Sequence, residues 1–279
     1  MTVLSSDLES NCSVNPARES LISARENREM FDAISRRYDL MNTILSLGLD
    51  RVWRRRTIDL LKPRAGEVYL DVGSGTGDLE LEILTRTRDT TIIALDPAER
   101  MLQLGRRKLH AAGVSDRAPA VAGDALSLPF PAGTFHGVVS AFCLRNVEDR
   151  QHFFVEMNRV LRDDGRAVVA ELSTPANPVM RCLHHVYSRI WVPLLGRTLS
   201  RGRAYRYLVD SICAFPSADA VIESMVHAGF AEARAISLHG GIVTVFVGRR
   251  SASGCPQGSV SSHGRDTMSP TDPRVTSKE

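Results

Sequence analysis

From residue 68 to residue 172, short apolar runs alternate with stretches in which apolar residues recur at helical spacing. A short unbroken apolar run is typical of a strand buried on both faces, and an apolar stripe every three or four residues is typical of a helix. Strands and helices that alternate in this way form a parallel sheet covered by helices. The predicted strands are 68–72, 91–95, 118–122, 137–142 and 167–172, and the predicted crossover helices are 79–85, 100–112 and 152–161.

The pattern differs on both sides of this region. Before it, apolar residues from Glu26 to Tyr38 recur at helical spacing, and a second helix is predicted at 53–61. After it, residues 176–215 predict long helical segments that mix aromatic and basic side chains. A helix and two strands that can pair antiparallel at one sheet edge are predicted at 220–228, 231–238 and 242–247. We therefore predict an α/β, Rossmann-like fold with a mostly parallel seven-stranded sheet, an antiparallel edge hairpin, N-terminal helices and a helical insertion after the fifth strand.

One domain is expected to span residues 25–250, with a polar tail on either side. Residues 1–24 are polar and irregular, and residues 251–279 are rich in Ser, Gly and Pro without an aromatic residue. Such segments bury too little apolar surface to fold, so both tails are predicted to be disordered. The 279-residue chain is 43% apolar, which is enough for one sizeable core.

Composition narrows the class of protein. The five cysteines form no CxxC pair, which predicts a reduced, cytoplasmic protein and no metal site. No signal-peptide core and no apolar run of the roughly 20 residues that span a bilayer are present, so the protein is expected to be soluble or peripheral to a membrane. A net charge of +3 is too small to imply a nucleic-acid partner by itself.

A glycine-rich segment, Asp71-Val-Gly-Ser-Gly-Thr-Gly77, follows the first predicted strand, and Asp96 ends the second. Gly73, Gly75 and Gly77 leave room for a ligand where the strand turns sharply into a helix. An acidic residue about 20 residues after such a loop can bind both hydroxyls of a ribose. The segment therefore predicts a nucleoside-cofactor site.

The charges around the loop distinguish between cofactors. Dinucleotides require the spacing G-x-G-x-x-G, which is absent, and Asp71 and Asp78 would repel a pyrophosphate. The same charges suit the sulfonium and amino groups of S-adenosylmethionine, which we predict as the cofactor. A nicotinamide or flavin nucleotide, and a glycine turn with a purely structural role, stay open as alternatives.

Two further residues are candidates for cofactor contacts. Asp124 follows the third predicted strand, where the adenine of the cofactor would lie, and its carboxylate would accept a hydrogen bond from the adenine amino group. The alternative for Asp124 is a turn residue or helix N-cap. The Thr76 hydroxyl either binds the ligand or bonds its own backbone.

The fourth predicted strand runs into Cys143-Leu-Arg-Asn146, so Arg145 and Asn146 lie at its carboxyl end, where a substrate meets the cofactor. The alternative is a surface arginine and a turn asparagine. The Asn/Asp-Pro-Pro-Tyr/Phe sequence typical of amino-group methylation of bases is absent from residues 140–147. Cys143 does not follow a proline, as it would in 5-methylcytosine chemistry, and is predicted to have a packing role.

Basic residues lie beside aromatic ones in two segments. Four arginines lie close to Trp53 in the sequence, namely Arg51, Arg54, Arg55 and Arg56. Each would add about 1 kcal/mol of attraction to an anionic membrane surface, although a solvated helix face is an equal alternative. The second segment, residues 181–207, would cover an oily substrate or simply one face of the sheet.

The chain resembles the C-methyltransferases of menaquinone and ubiquinone biosynthesis, which methylate polyprenylated quinol rings. The resemblance covers about residues 29–250 and rests on the glycine loop and several further motifs. These are Met30-Phe-Asp-Ala-Ile-Ser-Arg-Arg-Tyr-Asp-Leu-Met-Asn42, Leu126-Ser-Leu-Pro-Phe-Pro131, Leu144-Arg-Asn-Val147, Glu171-Leu-Ser-Thr-Pro175, Tyr205-Arg-Tyr-Leu208, Phe215-Pro-Ser217 and Ala228-Gly-Phe230 with Gly241-Ile242. Many methyltransferases share the glycine loop, but the first and third of these motifs together are specific to this family.

The resemblance implies a class I Rossmann-like, S-adenosylmethionine-dependent methyltransferase. The implied cofactor contacts are Thr76, Asp96, Asp124 and Ala125, with Arg145 and Asn146 as catalytic residues at the ring. Substrate contacts are implied within the quoted motifs at Phe31, Tyr38, Met41, Asn42 and Tyr205. The implied partners are a polyprenylated quinol, a membrane surface contacted transiently, and either a second copy of the chain or a quinone-biosynthesis complex, without nucleic acid.

Three positions depart from the family pattern, which usually has Asp, Ser and Gly where this chain has His136, Ala141 and Cys143. Ala141 lacks a hydroxyl and so removes one hydrogen bond, and Cys143 narrows the site beside Arg145. Two rival functions stay open. One is an RNA methyltransferase that holds phosphates with the arginines of residues 181–206, and the other is a non-catalytic cofactor-binding member of a quinone-synthesis complex.

Overall fold

The computed structural model describes residues 23–35, 38–175, 177 and 202–252. Most of the two predicted tails and the segment 178–201 lie outside the described residues, and the predictions made for them stay predictions. His184 and His185 lie in that segment. The side chains of residues 202–206, which include Tyr205, also lie outside the description.

A single seven-stranded sheet forms the centre of the described part of the chain. Its strands are β1 (Val68–Val72), β2 (Thr91–Asp96), β3 (Ala120–Ala122), β4 (Phe135–Ala141), β5 (Leu161–Leu172), β6 (Phe230–Leu238) and β7 (Val243–Arg250). Their order is β3-β2-β1-β4-β5-β7-β6. β7 pairs antiparallel with both β5 and β6, and the other neighbours are parallel. The predicted mostly parallel sheet with an antiparallel edge hairpin is confirmed.

Helices cover both faces of the sheet. They are α1 (Ala24–Ile34), α2 (Tyr38–Leu45), α3 (Leu49–Leu61), α4 (Asp78–Arg86), α5 (Glu99–Ala111), α6 (Arg150–Val160), α7 (Gly202–Cys213) and α8 (Ala218–His227). Among the described residues there is no helix with the length and apolar content needed to cross a bilayer.

The N-terminal region differs from the sequence prediction. Ser23 and Glu26 form a capping box that starts α1 at Ala24, inside the predicted tail. The apolar spacing from Glu26 to Tyr38 indicated one helical run, but α1 ends at Ile34 and Tyr38 begins a separate helix. This prediction was wrong because Tyr38 follows Ile34 by four residues, so the helical spacing continues across the break.

The core lies on both faces of the sheet and leaves the carboxyl ends of the strands accessible. Alternate residues of β1 point to opposite faces, so Leu70 belongs to one apolar cluster and Tyr69 to the other. Asp71 therefore shares a face with Tyr69, which is the face covered by α3 and α4. Because the four central parallel strands end at the same edge, the loops that follow them meet there.

Candidate active site

The three glycines of the loop after β1 have different roles. Gly73, Gly75 and Gly77 all have left-handed backbone conformations, with φ of 75°, 56° and 78°. A side chain at Gly73 would collide with the sulfur of Cys143, and one at Gly77 would lie 3.4 Å from the Cα of Gly105. A Cβ at Gly75 would meet nothing within 4 Å. Gly75 is therefore the position at which a ligand can approach the backbone.

Asp96 connects this loop to the end of β2. One carboxylate oxygen accepts a 2.9 Å hydrogen bond from the Gly75 amide, and the other accepts one of 2.8 Å from the Ala98 amide. Burial raises the pKa of Asp96, and the two amide bonds oppose that rise. A carboxylate has about four acceptor sites, so Asp96 keeps capacity for a ribose hydroxyl. The ribose contact stays a prediction.

Two carboxyl groups are buried together behind the loop. Asp71 on β1 and Glu80 on α4 are 1% and 0% exposed; their carboxyl groups hydrogen-bond to each other, and no other described side chain donates to them. Burial raises the pKa of Asp71 well above its ordinary value, with Glu80 as the next cause, and burial raises the pKa of Glu80 to about 7. The pair therefore holds a proton near neutral pH, and a bound cation would favour its ionisation.

Replacing Glu80 with glutamine is expected to stabilise the protein above pH 7. Glu80 has a raised pKa in the folded state, so the folded protein binds the extra proton between pH 4.5 and about 7, and wild-type stability falls as pH rises through that window. Above it, Glu80→Gln should raise the free energy of unfolding by on the order of 1 to 3 kcal/mol. The gain should disappear below pH 5. Urea unfolding of the wild type and the variant across this pH range measures the difference in stability, and Glu99→Gln, at an exposed position, is the control. A gain in stability that does not depend on pH would contradict the ionisation of Glu80 in this range.

A charged network joins the N-terminal helices to the loop. The Thr76 hydroxyl donates a 2.5 Å hydrogen bond to Asp39 of α2, and the ammonium group of Lys108 lies 2.6 Å from both Asp39 and Asp78. Arg54 adds a 3.0 Å ion pair with Asp78. The Thr76 hydroxyl thus already has a protein partner, so its cofactor contact stays a prediction. Asp78 thus shares Lys108 with Asp39 and Arg54 with Asp50, so its negative charge is largely paired within the network.

Arg54 does not belong to the basic surface that the sequence predicted. Its side chain is 11% exposed and forms ion pairs with Asp50 and Asp78 beneath α3. It therefore cannot contact a membrane surface as predicted. Arg51, Arg55 and Arg56 are exposed.

Asp124 and Ala125 lie after β3. One oxygen of Asp124 accepts a 2.9 Å hydrogen bond from the amide of Leu126, two residues further on. This bond is typical of an aspartate that begins a turn. The second oxygen has no such bond in the described structure, and Ala125 is half-buried against the core. Their adenine contacts stay predictions.

Arg145 is fixed by Glu171, a residue at the end of β5. The guanidinium lies 2.6 Å from one oxygen of Glu171, and the Arg145 amide donates a 2.9 Å hydrogen bond to the other. The two side chains are 7% and 0% exposed. Burial lowers the pKa of Arg145, but Glu171 together with Tyr38 and Tyr207 outweighs the burial, and the net shift is upward. The Nε–H of Arg145 is buried without a hydrogen-bond partner among the described residues.

Phe142 turns the chain between β4 and this arginine. It has a left-handed backbone with φ of 61°, which is unfavourable for an aromatic residue and costs on the order of 1 to 3 kcal/mol. Its carbonyl accepts a 2.8 Å hydrogen bond from Arg145 and a long one, of 3.4 Å, from the Asn146 amide group. The strained turn orients both predicted catalytic side chains toward the carboxyl end of the sheet.

Tyr207 of α7 holds Asn146. The Tyr207 hydroxyl donates a 3.0 Å hydrogen bond to the side-chain oxygen of Asn146. The sequence prediction named Tyr205 instead, whose side chain lies outside the description. Tyr207 stands two residues after Tyr205 in the same motif, and that motif was the available signal for it.

The predicted substrate residues of α1 and α2 lie together. The rings of Phe31 and Tyr38 are 5.8 Å apart and nearly perpendicular, and Met41 is buried on the inner face of α2. Burial raises the pKa of Tyr38, while Arg145 and a hydrogen bond with Asn42 lower it, which places Tyr38 close to the arginine. Their contact with a substrate stays a prediction.

The three departures from the family pattern lie in different parts of the structure. His136 accepts a 3.1 Å hydrogen bond from the Val68 amide at the amino ends of the strands, away from the loops of the site. Ala141, at the end of β4, is half-buried and packs against apolar core residues. Cys143 packs against Gly73, and burial raises the pKa of its thiol to about 12, so the thiol stays protonated at neutral pH. His239 accepts a 3.0 Å hydrogen bond from the Trp53 indole.

Sequence reasoning gave no role to Glu80 or Lys108 and cited Glu171 only as part of a motif. Glu171 ends the apolar run Ala167 to Ala170, and Glu80 lies between apolar residues in the first turn of α4. For Glu171, a carboxylate at the end of an apolar run was the signal, because a charge is buried only when a partner or a ligand requires it. Glu80 alternates with leucines and other acids and gave no such signal. Lys108 gave no such signal, since a lysine in a helix is usually solvated.

Comparison with protein families identifies the class of protein. The model of the ubiE/COQ5 methyltransferase family matches residues 20–250. The chain belongs to the ubiE/COQ5 methyltransferase family. The protein is therefore a methyltransferase, and its cofactor is S-adenosylmethionine.

Individual relatives agree with this assignment. The chain is 39% identical over 224 residues to the ubiquinone/menaquinone biosynthesis C-methyltransferase UbiE of Geotalea uraniireducens, covering 80% of this chain and 95% of that protein. It is 39% identical over 231 residues to the protein of the same name from Syntrophotalea carbinolica, covering 82% of this chain and 96% of that one.

Solved structures show the same fold at lower identity. A SAM-dependent methyltransferase from Aquifex aeolicus has a TM-score of 0.51 at 16% identity, with 70% of this chain and 88% of that chain covered. The [4+2]-cyclase SpnF has a TM-score of 0.57 at 17% identity, with 83% and 98% covered. Because a cyclase shares it, the fold does not by itself determine methyl transfer.

Proposed function

We propose that this protein transfers a methyl group from S-adenosylmethionine to a ring carbon of a polyprenylated quinol in menaquinone or ubiquinone biosynthesis. The observation that carries the proposal is the buried guanidinium of Arg145, which Glu171 holds with its Nε–H unpaired among the described residues. A buried donor without a partner is costly unless a ligand satisfies it. The phenolate oxygen of a quinol is an acceptor of the right charge.

The residues around the glycine loop fit S-adenosylmethionine. Asp71 and Glu80 are buried acids that share a proton and have no other side-chain donor in the described structure, and a ligand with amino and sulfonium groups offsets their remaining charge. Gly75 leaves space at the backbone, and Asp96 keeps acceptor sites for the ribose. Thr76, Asp124 and Ala125 complete the proposed contacts. When bound, the cofactor supplies an electrophilic methyl group.

The protein's own task is to make the ring carbon nucleophilic. A quinol hydroxyl resembles tyrosine, with a pKa of about 10, and its ionisation increases electron density at the adjacent carbon. Arg145 stabilises the phenolate. A guanidinium with a pKa above about 12 does not act as a base, so the proton passes to water. Asn146, held by Tyr207, orients the ring, and orientation alone can remove several kcal/mol of barrier.

Residues of α1, α2 and α7 form the proposed cover of the quinol. Asp39 binds Thr76, so α2, with Tyr38, Met41 and Asn42, lies beside the glycine loop. Phe31 of α1 packs against Tyr38, and Tyr205 lies on α7. A polyprenyl tail dissolves in lipid, so the protein works at a membrane surface. A second copy of the chain or a quinone-biosynthesis complex, implied by the resemblance, is tested by the elution volume of the full chain.

Methyl transfer by the purified full chain tests the function. Demethylmenaquinol and a ring-demethylated benzoquinol in detergent micelles are each incubated with S-adenosylmethionine, and extracted products are weighed by mass spectrometry. One added methyl group on a ring carbon of either quinol is expected, and the preferred quinol identifies the pathway. Total RNA serves as the competing acceptor. Methylation of RNA with a steep salt dependence, or cofactor binding without any quinol product, would contradict the proposal.

A further inference from the structure

Helix α2 is apolar on two faces, only one of which packs against the described protein. Its inner face carries Tyr38 and Met41, beside the proposed quinol site. The opposite face carries Leu40 and Ile44, which are 59% and 38% exposed. An apolar face of a helix is normally buried against another element. The outer face of α2 therefore has the composition of a buried surface without a described partner.

The docking patch is defined here as four exposed apolar side chains on α2, on α3 and on the turn between these helices: Leu40, Ile44, Leu47 and Val52. These are four of the five large apolar side chains exposed in the described residues, and the fifth, Val155, lies on α6. Leu40 and Ile44 are four residues apart in α2 and so lie on one side of it, and Leu47 follows in the turn after the helix ends at Leu45. Clustered exposed apolar side chains mark an interaction surface.

Leu47 projects from an unfavourable turn. It is 78% exposed and has a left-handed backbone, with φ of 53°, directly after the end of α2. Helices that end in this way usually place glycine or asparagine there. The turn is held by a 2.8 Å hydrogen bond from the Gly48 amide to the Thr43 carbonyl. A leucine that is both strained and exposed indicates a contact outside the folded chain.

Arginines surround the other end of the docking patch. Arg55 and Arg56 follow Val52 by three and four residues, so they share its face of α3, and Arg51 precedes it. All three arginines are exposed, and the ion pairs of Arg55 and Arg56 are 3.6 and 3.7 Å long. Exposed pairs of this length are weak, so the three guanidinium groups are available to an anionic partner.

We propose that the docking patch inserts into the interface of an anionic lipid bilayer while Arg51, Arg55 and Arg56 contact lipid phosphates. An apolar projection flanked by basic residues is the composition of elements that lie in a membrane interface. The inference rests on the proposed function, because a polyprenylated quinol resides in the bilayer. One face of α2 then lies in lipid and the other at the quinol site. The quinol therefore moves only the width of one helix from the bilayer to the site.

Sedimentation with vesicles tests the docking patch. The full chain is mixed at low salt with vesicles of phosphatidylcholine, or of phosphatidylcholine and phosphatidylglycerol in equal parts. Leu47→Asn favours the left-handed turn, so its thermal stability should equal or exceed that of the wild type. Its affinity for the mixed vesicles should fall at least about tenfold, because one buried leucine is lost. Arg51→Gln should lower the affinity for the mixed vesicles about fivefold and leave binding to phosphatidylcholine unchanged.

Val155→Asn is the matched control, because it removes an exposed apolar side chain from another helix. It should leave vesicle binding unchanged. Equal binding by Leu47→Asn and the wild type, or no binding of the wild type to the mixed vesicles, would overturn the proposal. So would a wild-type dimer that Leu47→Asn converts to a monomer, because the patch would then cover a second copy.

Methyl transfer to a quinol with a single isoprene unit, in solution without lipid, separates this proposal from the proposed function. Leu47→Asn should retain wild-type turnover there and lose it with a long-chain quinol in vesicles. If the wild type methylates the short quinol but Leu47→Asn binds vesicles normally, only the docking patch fails. If the wild type methylates neither quinol, the proposed function fails whatever the vesicles show.

Discussion

Replacing Arg145 with alanine should lower kcat at least about 100-fold while leaving the affinity for S-adenosylmethionine nearly unchanged. The guanidinium is buried and stabilises negative charge that develops on the quinol oxygen, and the loss of one such donor typically costs this much. The expected rate loss should shrink as pH rises toward about 10, because the quinol then ionises without assistance. Single-turnover methylation measured from pH 6 to 10, with calorimetry of cofactor binding, gives both quantities.

Two variants sharpen this experiment. Arg145→Lys keeps a positive charge but loses the planar arrangement that binds Glu171 and a substrate oxygen together, so it should recover only part of the rate. Arg162→Ala removes an exposed arginine that contacts His136 near the amino end of β4 and should leave turnover unchanged. Wild-type turnover in Arg145→Ala would remove the arginine from the mechanism.

Replacing Glu171 with alanine should destabilise the protein by about 3 to 5 kcal/mol. Glu171 is completely buried, and its removal leaves the Arg145 guanidinium as an uncompensated buried charge. It also removes the acceptor that fixes the Arg145 amide. Urea unfolding at neutral pH measures the loss, and the exposed Glu223→Ala should change stability by no more than about 0.5 kcal/mol.

A double-mutant cycle separates the unpaired charge from a general packing loss. When Glu171→Ala is combined with Arg145→Ala, the free energy of unfolding should fall by less than the sum of the two single losses, because neither charge is then left alone. Strict additivity would show that the two side chains are stabilised independently and would contradict the pairing.

The sheet followed from the sequence because its signals are local, and the predicted site residues rest on signals of the same kind. The apolar runs of the central strands and the glycine-to-Asp96 spacing need only neighbouring residues to be recognised. Arg145 was located by its place at the end of one strand. The break between α1 and α2 was not predicted, since Tyr38 keeps the helical spacing across it. Arg54 was misplaced at the surface because a basic run gives no sign of which member is buried.

The sequence by itself determined the α/β class, the loop at Gly73 to Gly77 and the family, because these depend on residue type and spacing along the chain. The tertiary structure alone decided which charges meet. Glu171 reaches Arg145 across two strands, Asp39 reaches Thr76 from a separate helix, and Asp71 faces Glu80 in a buried space. Charge pairing and burial are set by distances between segments far apart in sequence, and those distances exist only after the sheet and helices have packed.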